Sequence, residues 1–149
     1  MSKSNTFERQ FLSHILLNAA IPNIGDATGL PAAATAGNLY VAFHTADPGE
    51  AGTAVTSECS YTGYARTAVP RTSSGFTVDG TNGIASFAAQ VTGGQRSDTG
   101  TVQVITHFSI VNTASGAGTI LWSGTVTPNI SVTQNVTPYL AAGQCITED

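Results

Sequence analysis

Charged side chains are scarce in this chain. Asp, Glu, Lys and Arg make up 9% of its 149 residues, whereas soluble domains average about 25%. Disordered chains are highly charged and poor in large apolar residues, so the 41% hydrophobic content excludes that class. A helical bundle needs charged residues on its exposed faces, and this chain has too few. The length fits a single domain rather than two independent ones.

Positively charged residues are rarer in this chain than negatively charged ones. Five Lys and Arg stand against nine Asp and Glu, which gives a formal net charge of -4 at pH 7. Binding of nucleic acid through its phosphates requires a basic patch or stripe, and five dispersed residues do not form one. We therefore expect no nucleic-acid partner.

Long apolar runs and metal-binding spacings are absent as well. No run approaches the roughly 18 apolar residues that would span a bilayer, so we expect no membrane partner. The two cysteines, Cys59 and Cys145, match no CxxC or Cys/His zinc spacing. This spacing favours two free or partly buried thiols and leaves a disulfide between them open.

Motifs of nucleotide-binding and hydrolytic proteins are missing too. The chain has neither a GxxxxGK(S/T) phosphate loop nor a GxSxG nucleophile elbow. His44, Asp47 and Glu50 are close enough in sequence to suggest a metal site. Pro48 and Gly49 mark the same segment as a turn, however, and turn chemistry explains Asp47 without an ion. We expect no enzymatic activity, no metal and no cofactor.

The first segment of the chain has the pattern of an amphipathic helix. Asn5, followed three residues later by Glu8, resembles a capping box. The pattern ends near Asn18, and Pro22 disfavours continuation. The apolar residues at helical spacing are Phe7, Phe11, Leu12, Ile15 and Leu16.

Everything after a small, irregular linker at residues 22–38 has the pattern of β-structure. Short runs rich in Val, Ile, Thr and aromatics alternate with Gly, Asn, Asp and Pro turns, which indicates an all-β fold. We predict an antiparallel β-sandwich, jelly-roll or immunoglobulin-like, at residues 39–149, preceded by an N-terminal helix and extended arm at residues 1–38. The predicted strands are 39–45, 61–69, 75–78, 84–88, 102–111, 119–123, 129–133, 138–141 and 144–147.

Alternation places Val102, Val104, Thr106, Phe108 and Ile110 on one face of the strongest predicted strand. Several aromatic residues could instead serve a sugar-binding surface, although core or subunit contact explains them as well. These aromatics are Tyr40, Tyr61, Tyr64 and Trp122.

Three motifs in fixed order resemble a known family. They are LYVAFHTADPGEAGT at residues 39–53, GYAR at residues 63–66 and VITHFSI at residues 104–110. Together they make the chain similar to small virion proteins of tailed bacteriophages over roughly residues 7 to 147. Members of such families are described as capsid decoration (cement) proteins or as tail-fibre proteins.

The resemblance implies a structural virion protein. We expect a capsid decoration protein that binds the outer surface of the phage head and stabilises it by bridging major capsid subunits. It would be made in the host cytoplasm and self-associate as a dimer or trimer. A tail-fibre or baseplate component that binds host-surface glycan is the alternative.

Two groups of residues are candidates for contacts between subunits. The first is the amphipathic helix, although its apolar face could also pack on the chain's own sheets. The second is Arg66 of the GYAR motif in an ion pair with an acid such as Asp47, with an ordinary strand-end arginine as the competing interpretation. The candidate contact residues are Phe7, Phe11, Ile15, Leu16, Asp47 and Arg66.

Overall fold

A computed structural model describes residues 2–147 of the chain. They form two compact units: unit 1 contains residues 2–38, 70–90 and 141–147, and unit 2 contains residues 39–69 and 91–140. The elements are α1 (Asn5–Leu17), β1 (Asn38–His44), β2 (Thr67–Pro70), β3 (Phe76–Val78), β4 (Ile84–Phe87), β5 (Val91–Thr92), β6 (Gln103–Val111), β7 (Ile120–Val132), β8 (Tyr139–Leu140) and β9 (Cys145–Thr147).

Helix α1 of unit 1 begins one residue earlier than the capping-box pattern predicts. Ser4, in an extended conformation, is the N-cap, and its side chain accepts a hydrogen bond from the backbone N–H of Phe7 at 3.3 Å. Asn5 is already helical, so the predicted Asn5–Glu8 capping box is wrong. Ser and Asn are comparable as N-caps, and the pattern alone did not decide between adjacent positions.

The other end of α1 is closed by polar contacts within unit 1. Asn18 takes a left-handed conformation with φ 54°, and its backbone N–H caps the helix. The guanidinium of Arg71 donates to the carbonyl oxygens of His14 at 2.6 Å and Ile15 at 2.5 Å. These bonds satisfy carbonyls that a helix end would otherwise leave without partners.

The core of unit 1 lies between α1 and a three-stranded antiparallel sheet in the order β3-β4-β9. Leu12 and Leu16 of the helix are fully buried. Phe76 and Phe87, which face each other across β3 and β4, have ring centroids 5.6 Å apart. Leu12 and Leu16 of the predicted apolar stripe thus pack within unit 1, as apolar burial favours.

Unit 2 is built on a four-stranded sheet in the order β2-β1-β6-β7, with a two-stranded sheet of β5 and β8. The central strand β1 is buried on both faces from Val41 to His44. An added Cβ on Gly93, just after β5, would lie 2.8 Å from the Phe43 ring. The absence of a side chain at Gly93 lets the backbone after β5 pack directly against Phe43 in the core of the four-stranded sheet.

The pairing of β6 with β7 changes register midway. Ile105 lies opposite Ile130, but His107 lies opposite Thr125, so β7 has several extra residues where β6 has only Thr106. In β6, Ile105 is buried before the shift, and Phe108 to Val111 are all buried after it. Val102 precedes β6, and Val102 and Val104 are 47% and 38% exposed, whereas Phe108 and Ile110 are buried.

The predicted class, all-β with antiparallel sheets and one N-terminal helix, is confirmed. Three predicted strands differ clearly in extent. Residues 61–66 form a turn and an irregular stretch instead of strand, because their polar groups bond to loops rather than to a neighbouring strand. The predicted strands at 119–123 and 129–133 are parts of the single strand β7, which continues through Pro128.

Candidate functional site

The GYAR motif ends in a buried ion pair of unit 2. Arg66 Nε donates to Glu58 Oε1 at 2.7 Å, and Nη2 donates to Glu58 Oε2 at 2.8 Å. The side chains are 2% and 14% exposed, respectively. Such a parallel two-bond geometry is the strongest that arginine makes with a carboxylate. The Glu58 carboxylate accordingly raises the pKa of Arg66.

The remaining donors of Arg66 hold the loop at residues 112–118. Nη1 donates to both the carbonyl and the hydroxyl oxygen of Thr113, each at 3.1 Å. Nη2 also donates to the carbonyl oxygen of Gly116 at 2.7 Å. The five N–H groups of a guanidinium are thereby all engaged. We call Glu58, Arg66, Thr113 and Gly116, together with Tyr64, the arginine clasp.

Tyr64 connects the arginine clasp to strand β1. Its hydroxyl donates to Glu58 Oε1 at 2.8 Å and accepts from the backbone N–H of Phe43 at 3.1 Å. Burial makes the largest contribution to raising the pKa of Tyr64, and the nearby Glu58 carboxylate raises it further. The phenol is therefore a neutral donor with a structural role.

A cavity of about 300 Å³ opens beside the arginine clasp. Within residues 2–147, no buried side-chain nitrogen or oxygen atom is left without a hydrogen-bond partner. The cavity therefore offers an incoming anion no unused guanidinium donor. Its lining residues are Glu58, Cys59, Tyr64, Ala65, Arg66, Ala114, Ser115 and Gly116.

His44, one of the residues considered for a metal site, is fully buried next to the arginine clasp in unit 2. Its Nδ1 lies 2.8 Å from the carbonyl oxygen of Thr56 and its Nε2 lies 2.7 Å from Ser109 Oγ. Because a carbonyl only accepts, Nδ1 carries the hydrogen, and Nε2 accepts from the Ser109 hydroxyl. Burial lowers the pKa of His44. Among the described residues, no cluster of His, Cys, Asp or Glu has the arrangement of a metal site.

A second buried arginine of unit 2 also pairs with a carboxylate and donates to backbone carbonyl oxygens. Arg96 is 2% exposed and donates to Asp98 Oδ1 from Nη2 at 2.6 Å and from Nε at 3.1 Å. Its Nη1 donates to the carbonyl oxygens of Thr101 and Val132 at 3.0 and 2.8 Å. The Arg96 guanidinium, together with backbone N–H donors, holds the pKa of Asp98 well below its ordinary value.

The predicted contact residues fall into different environments. Asp47 does not pair with Arg66: its Oδ1 accepts from the backbone N–H of Gly49 at 2.9 Å, in the turn. On α1, Phe7 is 37% exposed and Leu16 is fully buried. Phe11 and Ile15 are half-buried.

The aromatic residues considered for sugar stacking also differ in exposure. Tyr61 is 5% exposed, and its hydroxyl donates to the carbonyl oxygen of Gly94 at 3.0 Å. Burial raises the pKa of Tyr61 to about 12. Tyr40, Tyr64 and Trp122 are half-buried.

Cys59 is a free, buried thiol. Burial, followed by the nearby Glu58 carboxylate, raises its pKa to about 12, which keeps it protonated and unreactive at neutral pH. The side chain of Cys145 lies outside the described residues.

Sequence reasoning missed Glu58 and Thr113 as partners of Arg66. They are separated from it by 8 and 47 residues, and no periodicity links a loop carboxylate to a distant carbonyl. The amino-acid composition was the one signal that could have indicated a buried role for Arg66. In a chain with five basic residues, an arginine bounded by Ala65 and Thr67 and followed by an apolar strand is a candidate for burial.

Comparison with known proteins places this chain among phage proteins. A family model described as podophage GP4 fiber I protein gp80 matches residues 2–148. No curated protein matches the chain. Within residues 2–147 no helix has the length and apolar character needed to cross a bilayer. Because the family match covers nearly the whole sequence, the chain belongs to the Gp80 family of phage fibre proteins and is a structural protein of the virion.

Proposed function

We propose that this chain is a fibre subunit of a podophage-type virion that works by binding other protein subunits and catalyses no reaction. The observation that carries the proposal is the family match across residues 2–148. The polar groups of unit 2 support it, because Arg66 of the arginine clasp and Arg96 bind loop carbonyl oxygens of the same chain, at Gly116 and Thr101. Their role is to fix surface loops in position.

The surface that results suits contact between proteins. The guanidinium groups of Arg9, Arg66, Arg71 and Arg96 all donate to backbone carbonyl oxygens of this chain. Exposed positions of β7 and of the loop at residues 112–118 carry mainly Ser, Thr, Ala and Asn, with Leu121, Pro128 and Gly116, and none carries a charge. Few charges must lose water when such a surface is covered by another subunit, which lowers the cost of association.

Head decoration is the other location for a virion protein of this kind, with the major capsid protein as partner. The family description names a fibre, and so we place the subunit in the fibre. Both locations predict a non-enzymatic protein, but they differ in copy number and position. Decoration requires many copies over the capsid lattice, whereas a fibre is confined to its attachment points.

Immunogold labelling of intact particles tests the location. Antibodies raised against the purified full chain are expected to label fibres, and prior absorption of the serum with the same protein is expected to remove the label. Quantitative mass spectrometry of purified particles provides an independent copy number relative to the major capsid protein. Label spread over the head shell, with a copy number approaching that of the capsid subunit, would overturn the fibre assignment and establish decoration.

A further inference from the structure

The turn between β3 and β4 of unit 1, at residues 79–83, contains an Asp-Gly dipeptide and the only Asn-Gly dipeptide of the sequence. Asp79 precedes Gly80, and Asn82 precedes Gly83. When the side-chain carbonyl carbon of Asp or Asn is attacked by the backbone nitrogen of the next residue, a five-membered ring closes. Glycine favours this attack because it has no Cβ to crowd its nitrogen. Every other asparagine of the sequence precedes a residue with a Cβ.

The carboxylate of Asp79 is protected from this ring closure. Its Oδ1 accepts hydrogen bonds from the backbone N–H groups of Thr81 and Asn82, the latter at 3.0 Å. The Asn82 N–H, followed by the Thr81 N–H, lowers the pKa of Asp79, so the side chain is ionised at neutral pH. An ionised carboxylate repels an attacking lone pair and offers no good leaving group. We therefore expect the Asp79–Gly80 dipeptide to remain unmodified.

Asn82 has neither of these protections. It is exposed, and its carboxamide is neutral. Among the described residues, no hydrogen bond engages the side-chain amide of Asn82 or the backbone N–H of Gly83. By contrast, the side chains of Asn18 and Asn112 bond to backbone groups at 2.8 and 2.9 Å. The two groups that must react at Asn82 are therefore not held apart by other contacts.

Other groups hold the turn in place. Arg9 of helix α1 donates from Nη1 to the carbonyl oxygen of Gly80 at 2.7 Å. The backbone N–H of Asp79 donates to the carbonyl oxygen of Ile84 at 2.8 Å. Neither bond uses the Asn82 side chain or the Gly83 nitrogen, so ring closure at these two atoms competes with neither of them.

We propose that Asn82 is a site of spontaneous deamidation, with water as the co-reactant. The Gly83 nitrogen loses its proton to solvent base and bonds to Asn82 Cγ, the Cγ–Nδ2 bond breaks, and ammonia leaves. Water then adds to either carbonyl of the succinimide ring, which opens to aspartate or to isoaspartate at position 82. Each modified copy gains one negative charge, and isoaspartate also adds one carbon atom to the backbone of the turn. The inference goes beyond the proposed fibre role and does not depend on it.

Mass spectrometry of the aged full chain tests the site. After denaturation, trypsin cleaves behind Arg71 and Arg96 and releases peptide 72–96, in which Asn82 is the only asparagine. In folded protein kept in warm, mildly alkaline buffer, this peptide is expected to gain the mass of an amide-to-acid conversion, faster at higher pH. An isoaspartyl methyltransferase with a labelled methyl donor is expected to label the same peptide. Protein digested without ageing corrects for conversion during digestion.

Two variants are matched controls for the mass measurement. Asn82→Gln keeps a carboxamide in the turn but needs a less favourable six-membered ring, and it is expected to abolish the mass increase of peptide 72–96. Asn129→Gln changes an exposed asparagine that precedes isoleucine, and it is expected to leave that increase unchanged. Tryptic peptides with the other asparagines are expected to keep their masses in both variants and in the wild-type chain.

A synthetic peptide of residues 72–96 separates the effect of the fold from that of the dipeptide. Gly83 is buried in the folded chain, which limits access of base to its nitrogen. We expect the folded chain to deamidate more slowly than the free peptide, but within one order of magnitude of it. A folded chain that keeps Asn82 while the free peptide reacts, or equal conversion of the other asparagines, would overturn the inference. Neither result bears on whether the protein is a fibre subunit, which the labelling of particles decides separately.

Discussion

Arg66 and Glu58 form a two-bond ion pair across eight residues of sequence, with N–O distances of 2.7 and 2.8 Å. The same guanidinium reaches two carbonyls of the loop at residues 112–118. One side chain thus fixes two surface segments relative to the sheet. The fold of unit 2 depends on the pair through the loops that it holds as well as through its charge.

Removing one partner of the pair is expected to be costly. Arg66→Ala leaves Glu58 charged and largely buried, and breaking a buried ion pair in this way costs about 3–5 kcal/mol of unfolding free energy. Urea denaturation followed by circular dichroism measures this loss. The double variant Arg66→Ala/Glu58→Ala is the matched control. It is expected to lose less than the sum of the single variants, because it leaves no uncompensated charge. Strict additivity would show that the two groups do not stabilise each other.

The stability of the protein is expected to fall as the pH drops below about 6.5, the ordinary pKa of histidine. Burial lowers the pKa of His44 in the folded state, so the unfolded chain takes up its proton first. Protonation therefore favours unfolding between pH 6.5 and the lowered pKa of the folded state, whereas above pH 6.5 the full contribution is present. Urea midpoints across this range measure the slope.

His44→Asn is expected to flatten this slope while lowering stability at neutral pH, because it removes the bonds to Thr56 and Ser109. The control His14→Asn, on helix α1, changes a half-buried histidine elsewhere in the chain. An unchanged slope in His44→Asn would assign the acid sensitivity to other groups.

Asp98 is expected to dominate a second loss of stability at lower pH. Arg96 and backbone donors lower its pKa in the folded state, so its contribution is present above the ordinary value near 3.8 and declines as the pH falls below it. Asp98→Asn is expected to be less stable than wild type at neutral pH and less sensitive to acid. Thermal unfolding followed by circular dichroism between pH 7 and the acid range tests both effects.

Glu50→Gln, in the exposed turn after β1, removes one negative charge away from Arg96 and serves as the control for Asp98→Asn. If Asp98→Asn and Glu50→Gln had equal stability at neutral pH, the Arg96–Asp98 pair would have no measurable role.

The N-cap of α1 provides a test that distinguishes neighbouring residues. Ser4→Ala removes the acceptor for the Phe7 N–H and is expected to cost about 1 kcal/mol. Asn5→Ala, one position into the helix, is expected to cost less, since alanine has the better helix propensity. Thermal midpoints of the two variants measured side by side provide the comparison. A larger loss in Asn5→Ala would favour the capping box that the sequence pattern suggests.

Local patterns predicted most elements of the fold. The apolar stripe of α1 and the alternating runs of β1 and β6 are properties of adjacent residues, so they are readable from sequence. The register shift between β6 and β7 is not, because it depends on how the extra residues around Pro128 in the next strand pair with β6. Val104 was predicted to share a face with Phe108 and Ile110, and it is 38% exposed whereas both of those residues are buried.

The candidate site was less predictable than the fold. Arg66 was identified as notable, but its acidic partner was expected in the turn at Asp47. Asp47 instead accepts from a backbone N–H two residues away, a bond that its own turn supplies locally. Glu58 contacts Arg66 because the irregular segment that follows β1 brings the two side chains together. A pair of this kind depends on the path of the irregular segment between the two residues, and no sequence spacing identifies it.

The internal use of the four arginines has a consequence for ionic strength. Mobile salt ions weaken attraction between exposed charges over about 10 Å at 0.1 M salt. Contacts made through the neutral, hydroxyl-rich surface of unit 2 contain few such charges, and so added salt has little to screen. Association through this surface is therefore expected to vary little between dilute and saline media, whereas protein–nucleic acid contacts weaken by orders of magnitude. A virion component with such contacts keeps them when the particle leaves the cell.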